Sequence, residues 1–255
     1  MALFRRQTLS LLRTSLFVVY AQLMVVSSAY AQQLPGTENG EWRYLGGDAG
    51  NTRFSALDQI NESNFAELEQ AWIWRSDNFG PNLDYFSRAT PIYVNETLYT
   101  VATPRRQVIA IDPRTGENLW TFREPETIRH QRSPRQAYGK GVAYAEVDGR
   151  GVIYITTPGF FLWALDAETG LPLENWGNAF PVGGYPKTGV IDLVPQLVKD
   201  WQPWQDYLVS GGAYDADYGI PRELGMVTAS APPIVVNGVV VVLVGHQPSY
   251  GQTRV

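Results

Sequence analysis

The residues able to do chemistry are few. The chain has no Cys and only two His. That removes thiol nucleophiles, thiolate metal sites and a disulfide framework. One carboxylate pair is Asp215 and Asp217, in the run Gly211-Gly212-Ala213-Tyr214-Asp215-Ala216-Asp217-Tyr218. Glycoside hydrolysis needs two carboxylates that face each other across the scissile bond. Two acids separated by one residue are not that arrangement, so this reading ranks low. The run lies in an insertion, 182–227, with Trp201, Trp204 and Tyr207. Long insertions on a regular scaffold often build functional sites, and a surface loop of packed aromatics reads equally well.

The elements that must position any site are strands. Of 255 residues, 44% are apolar, enough for a packed core, and there are 24 Gly, 17 Pro, 14 Tyr and 8 Trp. Many turns with many aromatics point to an all-β protein of short strands. Three of the 20 basic residues (Arg5, Arg6, Arg13) fall in the first 31 positions, leaving 17 to face 25 acids. An acidic body argues against nucleic acid as a partner. Residues 1–31 read as a secretory signal peptide: a basic start, an apolar run at 16–26, and Ala29-Tyr30-Ala31 as the cleavage pattern. The run is too short to span a bilayer. The expectation is a mature domain at 32–255, periplasmic or secreted, with no transmembrane span. The longest later apolar run, 239–244, reads as a buried strand.

A repeat organises the chain. Ala110-Ile111-Asp112-Pro113-Arg114-Thr115-Gly116 leads to Trp120, in the pattern A-x-D-x-x-T-G-x-x-x-W. Ala164-Leu165-Asp166-Ala167-Glu168-Thr169-Gly170 repeats its first seven positions, and Trp176 follows two residues late. The two glycines lie 54 positions apart, a propeller-blade spacing. The Asp can accept hydrogen bonds from its own turn, the Gly supplies positive φ, and the Trp can pack between neighbouring sheets. Hairpins precede the repeats, with turns at Asn95-Glu96 and Asp148-Gly149-Arg150, and a third turns at Asn237-Gly238. Residues 68–74 read as the last strand of a further blade, and 61–68 as a short helix capped by Asn61 or Ser63. The count is two complete blades and two partial ones, whereas propellers close with 4–8. The chain is therefore expected to be the first part of a longer protein, and to be inactive alone.

Several stretches together resemble the pyrroloquinoline-quinone (PQQ)-dependent dehydrogenases, the quinoprotein family with an eight-bladed propeller, and the glucose dehydrogenase-like members above all. They are Trp42-Arg43-Tyr44-Leu45-Gly46-Gly47-Asp48 with Asn51-Thr52-Arg53-Phe54-Ser55, Ala89-Thr90-Pro91, Lys140-Gly141-Val142-Ala143-Tyr144, Tyr154-Ile155-Thr156-Thr157-Pro158-Gly159, the two Asp turns, and Ser230-Ala231-Pro232-Pro233-Ile234. The resemblance implies a quinoprotein-type β-propeller, of which about three to four blades are present. It also implies PQQ with Ca²⁺ or another divalent cation, a sugar or alcohol substrate, and electrons passed to a membrane quinone or a cytochrome. Oxygen ligands suit Ca²⁺.

Roles carry over unevenly. Lys140 stands where many members have an Arg on the quinone oxygens, without Arg's bidentate fork. Gln136 takes a position that is His in some glucose-oxidising members. Thr156 matches a hydroxyl near the PQQ carboxylates, and His246 lies where members line the cofactor edge. Arg88 replaces a Glu before Ala-Thr-Pro and would pair with a PQQ carboxylate. Each of these five is equally readable as a rim or loop residue. The catalytic base and metal ligands have no match here and are expected beyond Val255. The alternative reading is a non-catalytic propeller of the same repeat type, an envelope interaction scaffold.

Overall fold

The computed structural model describes residues 35–79, 87–103, 105–127, 130, 139–178, 188–193 and 231–243. The chain divides into two units, Met1–Pro35 and Gly36–Val255, and the architecture below is that of the second. The predicted signal peptide and the Asp215/Asp217 run lie outside the described residues. No described helix is long and apolar enough to cross a membrane.

Two four-stranded antiparallel meanders dominate. The first runs β1 (Ile92–Val94), β2 (Thr97–Ala102), β3 (Gln107–Ile111), β4 (Asn118–Phe122). The second runs β5 (Ala143–Val147), β6 (Arg150–Thr156), β7 (Phe161–Asp166), β8 (Val190–Asp192). A two-stranded hairpin, β9 (Ile234–Val236) and β10 (Val239–Val241), follows. Each expected hairpin forms by the same device. Asn95 and Glu96 have φ of 47° and 59°, Asp148 and Gly149 have 51° and 76°, Asn237 and Gly238 have 49° and 75°. Two consecutive positive φ values define the tight turn whose twist matches the strands.

The repeat turns behave as their residues require. Asp112 Oδ1 accepts from Arg114 N at 2.8 Å, and Asp166 Oδ1 accepts from Thr169 N at 2.7 Å. Gly116 and Gly170 close the turns at φ +75° and +71°. Each turn then receives an indole from earlier in the chain. Trp72 Nε1 donates to Pro113 O at 2.9 Å, and Trp120 Nε1 donates to Ala167 O at 3.0 Å. Pro113 and Ala167 occupy the same position of the repeat, so one docking arrangement is used twice.

One apolar core spans both meanders. Ile92, Val94, Val101, Val108 and Phe122 of the first pack with Ile153, Ile155, Phe161, Trp163 and Leu165 of the second. A partly buried start segment ties in as well: Trp42 pairs with Tyr93 of β1, and the Arg43 guanidinium sits 5.5 Å from the Tyr144 ring centre.

Four expectations change. Residues 68–74 form no strand, although Trp72 docks as a blade tryptophan would. At 61–68 a 3₁₀ turn, Phe65–Glu67, stands in place of the expected helix, while Asn61 Oδ1 still accepts from Ser63 N and Oγ as a cap residue would. Trp176 opens no strand. The outer strand of the second meander is instead split, with Pro172 pairing Leu165 and β8 pairing Phe161–Trp163. The described part of the run at 239–244 is only half covered: Val240 packs on the second meander's apolar cluster, while Val239 and Val241 are 60% and 46% exposed. Among the described residues, a two-stranded hairpin has a cover for one face only.

Candidate cofactor-binding site

Three segments carry the described candidates, and backbone bonds tie them together. Thr90 N donates to Lys140 O at 2.8 Å, which lays the Arg88 segment along the Lys140 segment. Gly141 permits this approach, since a Cβ there would sit 3.0 Å from Thr90 O. Thr156 ends β6, and its carbonyl accepts from Arg106 Nη1 at 3.1 Å. Arg106 lies in the β2–β3 turn and passes over Gly139, the neighbour of Lys140; a Cβ at 139 would meet Arg106 Cγ at 2.7 Å.

The turn after Thr156 is held as firmly. Thr157 N donates to Phe161 O at 2.9 Å, and Phe160 N to Thr157 O at 3.0 Å. Gly159 N donates to Glu124 Oε1 at 2.9 Å, a bond from the second meander back to the first. Arg88 is exposed, Lys140 is partly buried and Thr156 is buried. Gln136 and His246 lie outside the described residues.

The surroundings are cationic. Arg105 pairs with Glu126 at 2.6 Å. His130 is buried, and its pKa is pushed down to about 4, by burial first and then by Arg105, with Arg123 and Arg106 adding and Glu126 opposing. The imidazole is therefore neutral in the fold at pH 7. An unfolded His binds its proton near pH 6.5. The unfolded state thus holds more protons between about pH 6.5 and 4, and stability falls as pH drops through that window. After allowance for screening, the loss is on the order of 1–2 kcal/mol. Urea unfolding at pH 7 and pH 4.5 should show it in the wild type. His130→Gln should remove that part of the pH dependence; an unchanged slope in the variant would count against a neutral buried His130.

Chemically, ammonium, guanidinium and hydroxyl donors suit a polyanionic ligand with carbonyl edges. No group of three or more His, Asp or Glu able to hold a metal occurs among the described residues. Sequence reasoning missed Arg106 and Glu124. The one available signal was charge flanking an apolar strand, Arg105-Arg106 before 107–111; which of the two arginines turns inward depends on a contact 50 residues away.

Comparison with known proteins identifies the family of the chain. Residues 42–253 match the family described as "PQQ: Glucose/ethanol/alcohol dehydrogenase, beta-propeller domain". The chain is 29% identical over 233 residues to the glycerol dehydrogenase large subunit of Gluconobacter thailandicus, covering 88% of this chain and 27% of that one. It is 33% identical over 184 residues to quinohemoprotein alcohol dehydrogenase ADH IIB of Pseudomonas putida, covering 71% of this chain and 25% of the relative. The solved quinohemoprotein alcohol dehydrogenase ADHIIG of Pseudomonas putida HK5 superposes with a TM-score of 0.52 at 26% identity, over 81% of this chain and 23% of the other. The chain thus spans about a quarter of the length of these relatives.

Proposed function

Because the chain belongs to the PQQ glucose/ethanol/alcohol dehydrogenase β-propeller family, we propose that the protein oxidises a sugar or an alcohol with bound PQQ. The observation that carries the reading is the tying of the Arg88, Lys140 and Thr156 segments into one cationic seam between two blades. The donor set fits the group, since PQQ is a tricarboxylate quinone and the seam offers cations and hydroxyls. When bound, the quinone supplies the two-electron chemistry, accepting a hydride from the substrate carbinol.

This chain's residues do the holding. Lys140 would supply an ammonium for the quinone oxygens, where positive charge would favour their reduction. Thr156 and Arg88 contribute donors for carboxylates. Gln136 and His246 complete the cofactor contacts in this proposal, and the base and the ligands of Ca²⁺ or another divalent cation are assigned to none of the described residues. Residues 32–255 constitute the propeller portion and residues 1–31 an export signal in the same proposal, which places the oxidation in the periplasm or outside the cell. Electrons pass on to a cytochrome or a membrane quinone, and this chain alone turns over no substrate.

The test uses the full-length protein reconstituted with PQQ and Ca²⁺, with a dye as electron acceptor and a panel of aldoses and alcohols. Dye reduction that depends on PQQ is the expected result. PQQ binding without turnover on any member of the panel would favour a non-catalytic propeller.

A further inference from the structure

We infer that Arg106 is a positioning residue for the cofactor site, locking the Thr156 and Lys140 segments together across the seam between the two blades; this rests on the PQQ reading above. Arg106 is only 3% exposed, and arginine is seldom buried so completely unless its charge and donors are in use. Its backbone is committed to the site's geometry. Arg106 has φ +51° in a turn closed by Arg106 N donating to Thr103 O at 3.1 Å. That turn aims the side chain over Gly139, so the chain reaches the second blade without detour. Nη1 then donates to the Thr156 carbonyl at 3.1 Å.

Arg106 thus touches the residue beside Lys140 and the residue Thr156 itself. Glu124 provides the complementary tie, accepting from Gly159 three residues beyond Thr156. Thr156 is therefore held on both sides by charged side chains of the neighbouring blade. A guanidinium suits this task better than an ammonium, because its donors leave a rigid plane in several directions at once. It also stays protonated at every working pH, so the seam keeps a fixed positive charge next to a polyanionic ligand. The lowered pKa of His130, to which Arg106 contributes, is consistent with that charge being felt locally.

The test is equilibrium titration of the full-length apoprotein with PQQ, read by tryptophan quenching and by the absorption of bound PQQ, with a melting curve for each variant. Arg106→Met should weaken PQQ binding tenfold or more. Arg106→Lys, which restores the charge without the fork, should recover part of that loss. A purely structural role would lower the melting temperature and leave the binding constant of the folded protein unchanged. If Arg106→Met does not fold, Arg106→Gln, which keeps a donor for Thr156 O without the charge, is titrated in its place with the same expectation. Wild type that binds PQQ while a folded neutral variant binds equally well overturns the inference alone. Wild type that binds no PQQ overturns the functional reading and the inference with it.

Discussion

Trp163→Ala should destabilise the protein by about 3–5 kcal/mol, the range seen when a large buried aromatic is deleted. Trp163 is fully buried in β7. Its ring lies 5.1 Å from that of Phe122 and 6.3 Å from that of Phe161, both at tilted angles that aromatic pairs favour. Phe122 belongs to β4 of the first blade, so the indole belongs to the core of both sheets. Removing it leaves a hole that neither sheet can close without moving, because each is fixed by its own ladder. The strands that Trp163 joins also lead into the proposed cofactor seam: Phe122 lies two residues before Glu124, and Trp163 pairs with Ile155 beside Thr156. The loss should be read as a lower urea midpoint by far-ultraviolet circular dichroism, with Leu171→Ala as the control. Leu171 is 65% exposed and should cost little. A Trp163→Ala cost as small as that of Leu171→Ala would mean that the blades do not share a core.

How much of this was legible in the sequence follows from the range of the forces involved. Hairpin turns are local events. Asp148-Gly149 and Asn237-Gly238 announce themselves because few residue pairs accept two positive φ values in succession. Asp112 and Asp166 are legible for the same reason, since each bonds within its own turn. The family resemblance rests on such local pieces recurring in order, and it led to the all-β propeller reading that the fold and the family match bear out. What could not be read is what depends on distant partners. The split outer strand of the second blade pairs Phe161 with Asp192, 31 positions on, after Pro172 has already used the other end of β7. The run at 68–74 has strand-like residues, but a strand exists only where a ladder partner is in reach. The site divides along the same line. Lys140, Thr156 and Arg88 were picked from motif positions. The bonds that join their segments, through Thr90 and Arg106, cross 50 residues of sequence and leave no local mark.

The docking of each tryptophan on the next repeat turn makes the turn glycines unequal, and that inequality is measurable. Gly149 and Gly170 have nearly the same backbone, at φ +76° and +71°. An alanine at either must accept the left-handed conformation, at a cost of about 1–2 kcal/mol. Their surroundings differ. Nothing lies within 4 Å of a Cβ at 149, whereas a Cβ at 170 would sit 2.4 Å from Trp120 Cε3. The indole cannot retreat freely, because Nε1 is bonded to Ala167 O, which also accepts from Tyr99 OH at 3.1 Å. Gly170→Ala therefore adds overpacking, typically about 1–3 kcal/mol, to the backbone strain. Its total should reach about 2–5 kcal/mol, against about 1–2 for Gly149→Ala. Gly116→Ala should behave like Gly170→Ala, since its Cβ would meet Trp72 at 2.7 Å. The two urea midpoints, Gly149→Ala and Gly170→Ala, differ only by the contact with the neighbouring blade's tryptophan. Equal midpoints would mean that the indole yields, and that the Asp-turn-Gly repeat sets the shape of each blade without setting how the next one stacks on it.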